Sequence, residues 1–394
     1  MRSFYDSIFF NVPPLRFPEF NGEWEKCTIK DYGEVVTGNT PPTSNSEYYD
    51  NGSYLWASPA DLGISKNITE TKTKLSLSGF RKTRNIPKGS VLITCIGSTI
   101  GKMGMATETM SSNQQINSIV INDKSDSDFV YYAISRAFPR YLSEVGIQAV
   151  PILSKSNFEK LPNYTTCREE QDKIGYFLNL LDERIATQNK IIEDLKKLKS
   201  AIIEMEYTHK TKSNSHIGDF IEQTSKRNKN CAIQNVLSVS NRQGFIQQSE
   251  QFENRSVASD DTSNYKIVEK NDFAFNPARI NVGSIARLTT FERGIVSPMY
   301  ICFRTKDTLF PEYLDYYFET KQFFTEIQKR LEGSVRQCLS FEGLCNIPLC
   351  IPTIEVQRQV GNQLSTLAQE IKLEIDFLEL LQRQKKFLLH QMFI

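Results

Sequence analysis

The chain has 394 residues, enough for two or three domains that each bury a core. With 39% hydrophobic and 24% charged residues it reads as a globular protein. No apolar run approaches the roughly 20 residues that span a bilayer, so no membrane role and a cytoplasmic location are expected. A formal net charge of +1 argues against bulk attraction to nucleic acid but leaves room for local basic patches.

The N-terminal stretch "MRSFYDSIFFNVPP" carries Asp6 and lacks a small-residue cleavage site, so it does not read as a leader. "IKDYGEV" (29–35) precedes a first basic cluster, "GFRKTRNIPKG", with Arg81, Lys82, Arg84 and Lys88. "IPKGSVLIT" (86–94) has the pattern of a lead-in, a turn and an apolar strand. "GSTIGKMG" (97–104), which includes Lys102, hints at a phosphate loop. It has one residue too few between Gly97 and Gly101, and Met103 stands where a hydroxyl would hold magnesium, so it predicts a strand–turn–strand. "SSNQQINS" follows, with Gln114 and Gln115, then a helical "DFVYYAI".

At Arg168 "REEQDKIG" opens a long amphipathic helix. Leu178, Ile185 and Ile192 lie seven apart, with Leu181 and Leu195 three residues on, which makes an a/d seam. The polar "THKTKSNSH" (208–216) reads as a linker. Beyond it the pattern recurs. "IGDFIEQ" (217–223) resembles "IKDYGEV", and "VEKNDFAFN" (268–276) resembles "IPKGSVLIT". Gly283 matches Gly101, and "EYLDYYF" matches "DFVYYAI". From Leu153 onward the match is ungapped for about 55 residues at an offset of 186. Glu169, Gln171 and Gly175 align with Glu355, Gln357 and Gly361, and the second seam is Leu364, Leu367, Ile371, Leu378 and Leu381. Interruptions coincide too, Gln188 with Glu374 and Lys199 with Lys385.

The chain is therefore a duplicated unit. The expected fold is mixed α/β (α+β): two similar globular domains separated by two long antiparallel coiled-coil helices, with a pseudo-twofold internal repeat. The expected boundaries are 1–152 and 209–338 for the globular parts, and 153–208 and 339–394 for the regions carrying the helices. Each helix of about 37 residues would run on the order of 55 Å. Leu373, Ile375, Phe377, Leu380, Phe387 and Leu389 fall off the second seam and predict an apolar stripe for a partner.

No catalytic constellation emerges. The eight cysteines contain no C-x-x-C pair and the three histidines (His209, His216, His390) form no metal pattern with them, so buried, reduced thiols are expected. "FNPAR" (275–279) starts like an amino-methyltransferase motif but lacks the second proline and the aromatic that would clamp a base. What the heads do carry is loops of Arg, Asn, Gln and Lys, the side chains that read base edges and contact phosphates. The candidates are Arg81, Lys82, Arg84, Lys102, Gln114 and Gln115 in the first copy. In the second they are Lys226, Arg227, Asn241, Arg242, Asn276, Arg279, Arg336 and Gln337.

With these features, "LRFPEFNGEWEKCTIKDYGEVVTGNTPP", "LSKSNFEKLPNYTTCREEQDKIGYFLNLLDERI" and "GSVRQCLSFEGLCNIPLCIPTIEVQRQVG" resemble the specificity subunit of type I restriction–modification enzymes. The first copy departs from the family's proline-rich lead-in, with "PNYTTCREEQ" against "IPLCIPTIEVQ" in the second. The resemblance implies two target recognition domains, each reading one part of a split, asymmetric site in double-stranded DNA. It implies helices that set the unread spacer and dock two modification (methyltransferase) subunits. S-adenosylmethionine for adenine N6 methylation, and ATP and magnesium for a restriction (translocase) subunit, would sit on those partners, leaving this chain without cofactor, metal or catalytic residues. The alternatives are a modification-only system, a coiled-coil scaffold that does not bind DNA, or the recognition half of a fused methyltransferase–nuclease.

Overall fold

The computed structural model describes residues 11–144, 152–208, 215–241, 243–248, 261–333 and 337–394. The chain divides into two compact units, residues 1–188 with 377–394 and residues 189–376, a division that runs through both long helices.

The first unit contains β1 (Glu25–Thr28), α1 (Ile29–Tyr32), β2 (Gly33–Thr37), β3 (Tyr54–Ala57), β4 (Asn67–Ile68), β5 (Thr73–Leu75), α2 (Leu77–Phe80) and β6 (Asn85–Ile86). It continues with β7 (Val91–Thr94), β8 (Met103–Ala106), β9 (Met110–Ser112), β10 (Ile116–Ile121), α3 (Ser127–Glu144), α4 (Lys155–Glu159), β11 (Pro162–Thr165) and the start of α5 (Arg168–Thr208). The second unit contains α6 (Ile217–Phe220), β12 (Ile221–Thr224), β13 (Val236–Ser240), β14 (Gly244–Gln247), β15 (Lys266–Glu269), β16 (Phe273–Phe275), β17 (Ile285–Arg287), β18 (Arg293–Val296) and β19 (Ile301–Thr305). There follow α7 (Pro311–Tyr317), α8 (Lys321–Arg330), α9 (Phe341–Cys345) and α10 (Ile354–Gln391).

The duplication extends to topology. One sheet runs β2-β10-β7-β8, with β4 added, and its counterpart runs β12-β19-β16-β17. The other runs β5-β3-β9-β6 against β14-β13-β18-β15, each with one parallel pair, β3 with β9 and β13 with β18. The two turns that looked alike in sequence fold alike. Asp31 accepts the Thr28 N–H at 2.7 Å and Asp219 accepts the His216 N–H at 2.8 Å, each closing one helical turn before a strand. The stretch that hinted at a phosphate loop is the turn between the antiparallel strands β7 and β8, as its spacing predicted.

The glutamines of the repeated signature explain it. Gln171 is 2% exposed and Gln357 is 1% exposed. Gln171 Oε1 accepts the Asp126 N–H at 2.9 Å while its Nε2 donates to the Thr166 carbonyl at 2.7 Å. Gln357 Oε1 accepts the Phe310 N–H at 2.8 Å while its Nε2 donates to the Pro352 carbonyl at 2.9 Å and that of Thr308 at 3.0 Å. One turn on, Gly175 and Gly361 let the helix lie close. A methyl at Gly361 would fall 3.0 Å from Glu312 Cβ, and one at Gly175 would fall 3.0 Å from Asp128 Cβ.

The long helices differ from expectation at their ends. They span 41 and 38 residues, and several seam positions belong to the globular cores. Leu178, Leu181 and Leu381 pack into the first unit's core with Leu388, Met392 and Phe393, and Leu364 packs into the second's with Ile203 and Tyr207. A heptad period marks an apolar stripe without saying whether a helix or a sheet-and-helix layer covers it. Ile192 and Ile371 are buried, and Ile185, Leu195, Leu367 and Leu378 are half-buried. Each unit is thus completed by the far end of the other copy's helix. In the first, Phe393 lies on Trp24 and Phe129, with ring centroids 5.9 and 5.4 Å apart. In the second, Tyr207, 186 positions earlier, lies 4.7 Å from Tyr313 and donates its hydroxyl to that residue's carbonyl. Such a buried aromatic contributes about 1.5–3 kcal/mol. Leu389, expected on the exposed stripe, also packs on the first core.

The cysteines are less buried than expected. All eight are free, but only Cys95 and Cys302 are buried, and Cys167 is exposed. Burial pushes the thiols of Cys95 and Cys302 up to about 12, so both stay protonated at neutral pH.

Replacing Gln171 or Gln357 by alanine leaves a buried backbone N–H and carbonyl unpaired, and each change should cost about 2–4 kcal/mol. Denaturant unfolding followed by circular dichroism checks this. A loss at one position and none at the other would break the equivalence of the two clamps.

Candidate nucleic-acid interface

Strand ends define one loop-bearing edge in each unit. In the first, β2 ends at Thr37 opposite Asn117, β7 at Thr94 opposite Ile116 and β3 at Ala57 opposite Ser112. The loops at 38–41, 81–84, 95–102 and 113–115 therefore share this edge. Asn39 organises them. Its Nδ2 donates to the Lys82 carbonyl at 2.9 Å and its Oδ1 accepts the Arg84 N–H at 2.8 Å. Its backbone N–H reaches the Ser112 carbonyl at 2.9 Å, and its own carbonyl accepts Trp56 Nε1–H at 3.1 Å. Gly38 permits the approach, because a methyl there would sit 2.2 Å from the Ser112 carbonyl oxygen.

Arg81, Lys82 and Arg84 are exposed on the loop so held, with Arg84 Nη1 donating to the Thr37 carbonyl at 2.8 Å. Gln114 is exposed and Gln115 half-buried. Thr40 donates its hydroxyl to Gln114 Oε1, and Asn113 Nδ2 donates to Gln115 Oε1 at 3.2 Å. Lys102 is exposed, its stem against Gly63, where a methyl would fall 3.2 Å from Lys102 Cγ.

In the second unit β12 ends at Thr224 opposite Cys302, and β16 at Phe275 opposite Ile301. The loops at 225–233, 276–284 and 297–300 share that edge. Buried Asn228 shapes the first of them, donating from Nδ2 to the Ile233 carbonyl at 3.0 Å and accepting its N–H at 3.2 Å. The Lys226 and Arg227 side chains beside it are exposed, and Arg227 Nη1 donates to Asn264 Oδ1 at 3.0 Å. Arg279 and Asn241 are exposed, and a methyl at Gly283 would fall 3.5 Å from Asn241 Cβ. Asn276 is only 8% exposed, because its Oδ1 takes the Ala278 N–H at 3.1 Å to hold the Asn-Pro turn. The Leu339 N–H donates to the Pro277 carbonyl at 3.0 Å, and Glu332 and Cys338 exchange two backbone hydrogen bonds at 2.9 Å, bringing exposed Gln337 beside this turn. Arg242 and Arg336 lie outside the described residues.

Asn39 and Asn228 were not singled out from the sequence, although a turn-forming Asn two residues before Pro41 and another beside Lys229 were the signal. Hydrogen bonds from Ser263 hold the Asp261 carboxyl below its ordinary value. Among the described residues no cluster of His, Cys, Asp and Glu could hold a metal, and no helix is long and apolar enough to cross a membrane. The edges present hydrogen-bond donors, acceptors and cations, a set suited to binding a polyanion with patterned edges.

Comparison with known proteins agrees. Residues 21–197 match the type I restriction modification DNA specificity domain. The HindI specificity subunit of Haemophilus influenzae is 31% identical over 151 residues, 37% of this chain and 32% of that one. The MjaIX specificity subunit of Methanocaldococcus jannaschii is 32% identical over 188 residues, 45% and 42% of the two chains. The chain thus covers less than half the length of these relatives. An S subunit of a type I restriction-modification system from M. genitalium is similar in fold across 97% of this chain and 99% of its own, with a TM-score of 0.64 and 16% identity.

Asn39→Ala should free the 82–84 loop without opening the core. Hydrogen exchange at the Arg84 amide is then expected to accelerate at least tenfold while the unfolding midpoint stays put, and unchanged protection would refute the role given to Asn39.

Proposed function

We propose, from a first copy that belongs to the type I restriction modification DNA specificity domain, that the whole chain is the DNA-specificity component of a type I restriction–modification complex. The observation that carries this is one polar, loop-bearing sheet edge built twice on the same topology with different side chains. A duplicated reader with altered loops recognises two different short sequences joined in one site. Each unit reads one part. Lys and Arg of the edges contact phosphates and fix register, while amide and guanidinium groups address bases. The chain itself performs no chemistry. Its partners are two methyltransferase subunits that hold S-adenosylmethionine and act on adenine N6, together with an ATP- and magnesium-dependent restriction subunit. The setting is the cytoplasm, where the DNA is.

The long helices support the docking role. Leu380 and Phe387 of α10 are each 60% exposed, seven residues apart, and Ile191, Leu198 and Met205 form a similarly spaced exposed row on α5. Such stripes on a charged helix are suited to further helices. Leu178 and Leu181 cannot test docking, since a charge at either would open the first unit's core. Leu380→Asp with Phe387→Asp is expected to leave the circular dichroism spectrum unchanged and to abolish co-purification with the methyltransferase subunit. Full retention of the subunit would assign that stripe no docking role.

The decisive experiment is co-expression with the methyltransferase subunit of the same system and genome-wide mapping of methylated adenines. A two-part motif with a fixed unread gap is expected. A continuous motif, or a stable complex that methylates nothing, would overturn the reading.

A further inference from the structure

Two β-turns at the loop-bearing edge occupy equivalent places in both units. The first is closed by Ile100 N–H to the Gly97 carbonyl at 3.1 Å, and in the second unit by Val282 N–H to the Arg279 carbonyl at 3.2 Å. Both are followed by a glycine in the left-handed region, Gly101 at φ +89° and Gly283 at φ +88°. The other turn is closed by Ile116 N–H to the Asn113 carbonyl at 3.1 Å, and by Tyr300 N–H to the Ser297 carbonyl at 3.0 Å. Gly97 therefore stands where Arg279 stands, and Gln114 where Pro298 stands.

The exchange is complementary. In the first unit the first turn, Gly97-Ser98-Thr99-Ile100, has glycine at the position of Arg279 and carries no amide or guanidinium, while the other presents the exposed Gln114 amide. In the second unit the proline has no side-chain donor or acceptor, and the exposed group is the Arg279 guanidinium. Gln114 is also pre-set for recognition. Thr40 holds its Oε1, orienting the amide plane, and the second lone pair of that oxygen can still accept. A glutamine amide matches the N6/N7 edge of adenine, and a guanidinium matches the O6/N7 edge of guanine.

Resting on the two-part reading above, we infer that Gln114 specifies an adenine in the part read by the first unit and Arg279 a guanine in the part read by the second. The two parts differ because the hydrogen-bonding residue has moved from one turn to the other.

The test is methylation mapping of the complex carrying Gln114→Ala or Arg279→Ala. The wild type should show a motif with an adenine in one part and a guanine in the other. Gln114→Ala should lower discrimination at that adenine on the order of ten- to a hundredfold and leave the other part intact. Arg279→Ala should do the same at the guanine only, with Gln114→Asn and Arg279→Lys intermediate. Both residues are exposed turn positions, and the conservative pair keeps the test open if an alanine variant misfolds. The inference is overturned by unchanged motifs in both variants, by relaxation of the same part in both, or by wild-type parts lacking these bases. A wild type without any two-part motif would instead overturn the proposed function.

Discussion

A buried primary amide at the root of each long helix is the constraint on which the architecture depends. Gln171 and Gln357 each satisfy a backbone N–H that follows the last strand of the sheet and a carbonyl of the turn entering the helix. The primary amide accepts through its oxygen and donates through its nitrogen at the same time. A carboxylate could not donate, and a leucine would leave both backbone groups orphaned. With a glycine one turn on, the amide fixes how the helix leaves its unit. The loop-bearing edge uses neither residue, so its side chains can change while the frame is kept.

The same economy appears in the charges. Asp128 and Glu312 occupy matching places at the starts of α3 and α7, and each is paired with a cation. The cations have different origins, Lys66 from the loop before β4 and Arg287 from β17. Lys66 also donates to Tyr132 at 3.1 Å and to Asn179 at 2.8 Å, so it joins a loop of the first sheet to the long helix. Lys385 pairs with Asp182 and stands over the Tyr132 ring, whereas its counterpart Lys199 pairs with Glu319 and stands over Tyr316. The position of the charge is kept and the residue supplying its partner is not.

Much of this was legible in the sequence because it is periodic or repeated. The helices, the duplicated turns at 29–35 and 217–223 and the strand–turn–strand at 97–104 all followed from local pattern. What was not legible depends on pairing between distant segments. Asn39 matters because β2, β9 and the 81–84 loop meet at it, and the equivalent place in the second copy holds Arg227, so the repeat gave no warning. Asn276 was chosen by residue type, and its burial and its bond to the Ala278 N–H, which brace its own turn, were not legible from that type alone. The seam was found, yet whether Leu178 met a helix or a domain core was decided by folding at a distance.

The crossed completion of the units has a consequence for synthesis. The segment that seals the first unit, Leu381 to Phe393, leaves the ribosome about 200 residues after Asp182, roughly 10–40 s later at ordinary elongation rates. The second unit receives Tyr207 from upstream and can close once its own residues through Leu364 have emerged. The nascent first unit therefore waits with Trp24 and Phe129 uncovered, and premature termination after residue 376 would harm the half of the protein that was made first.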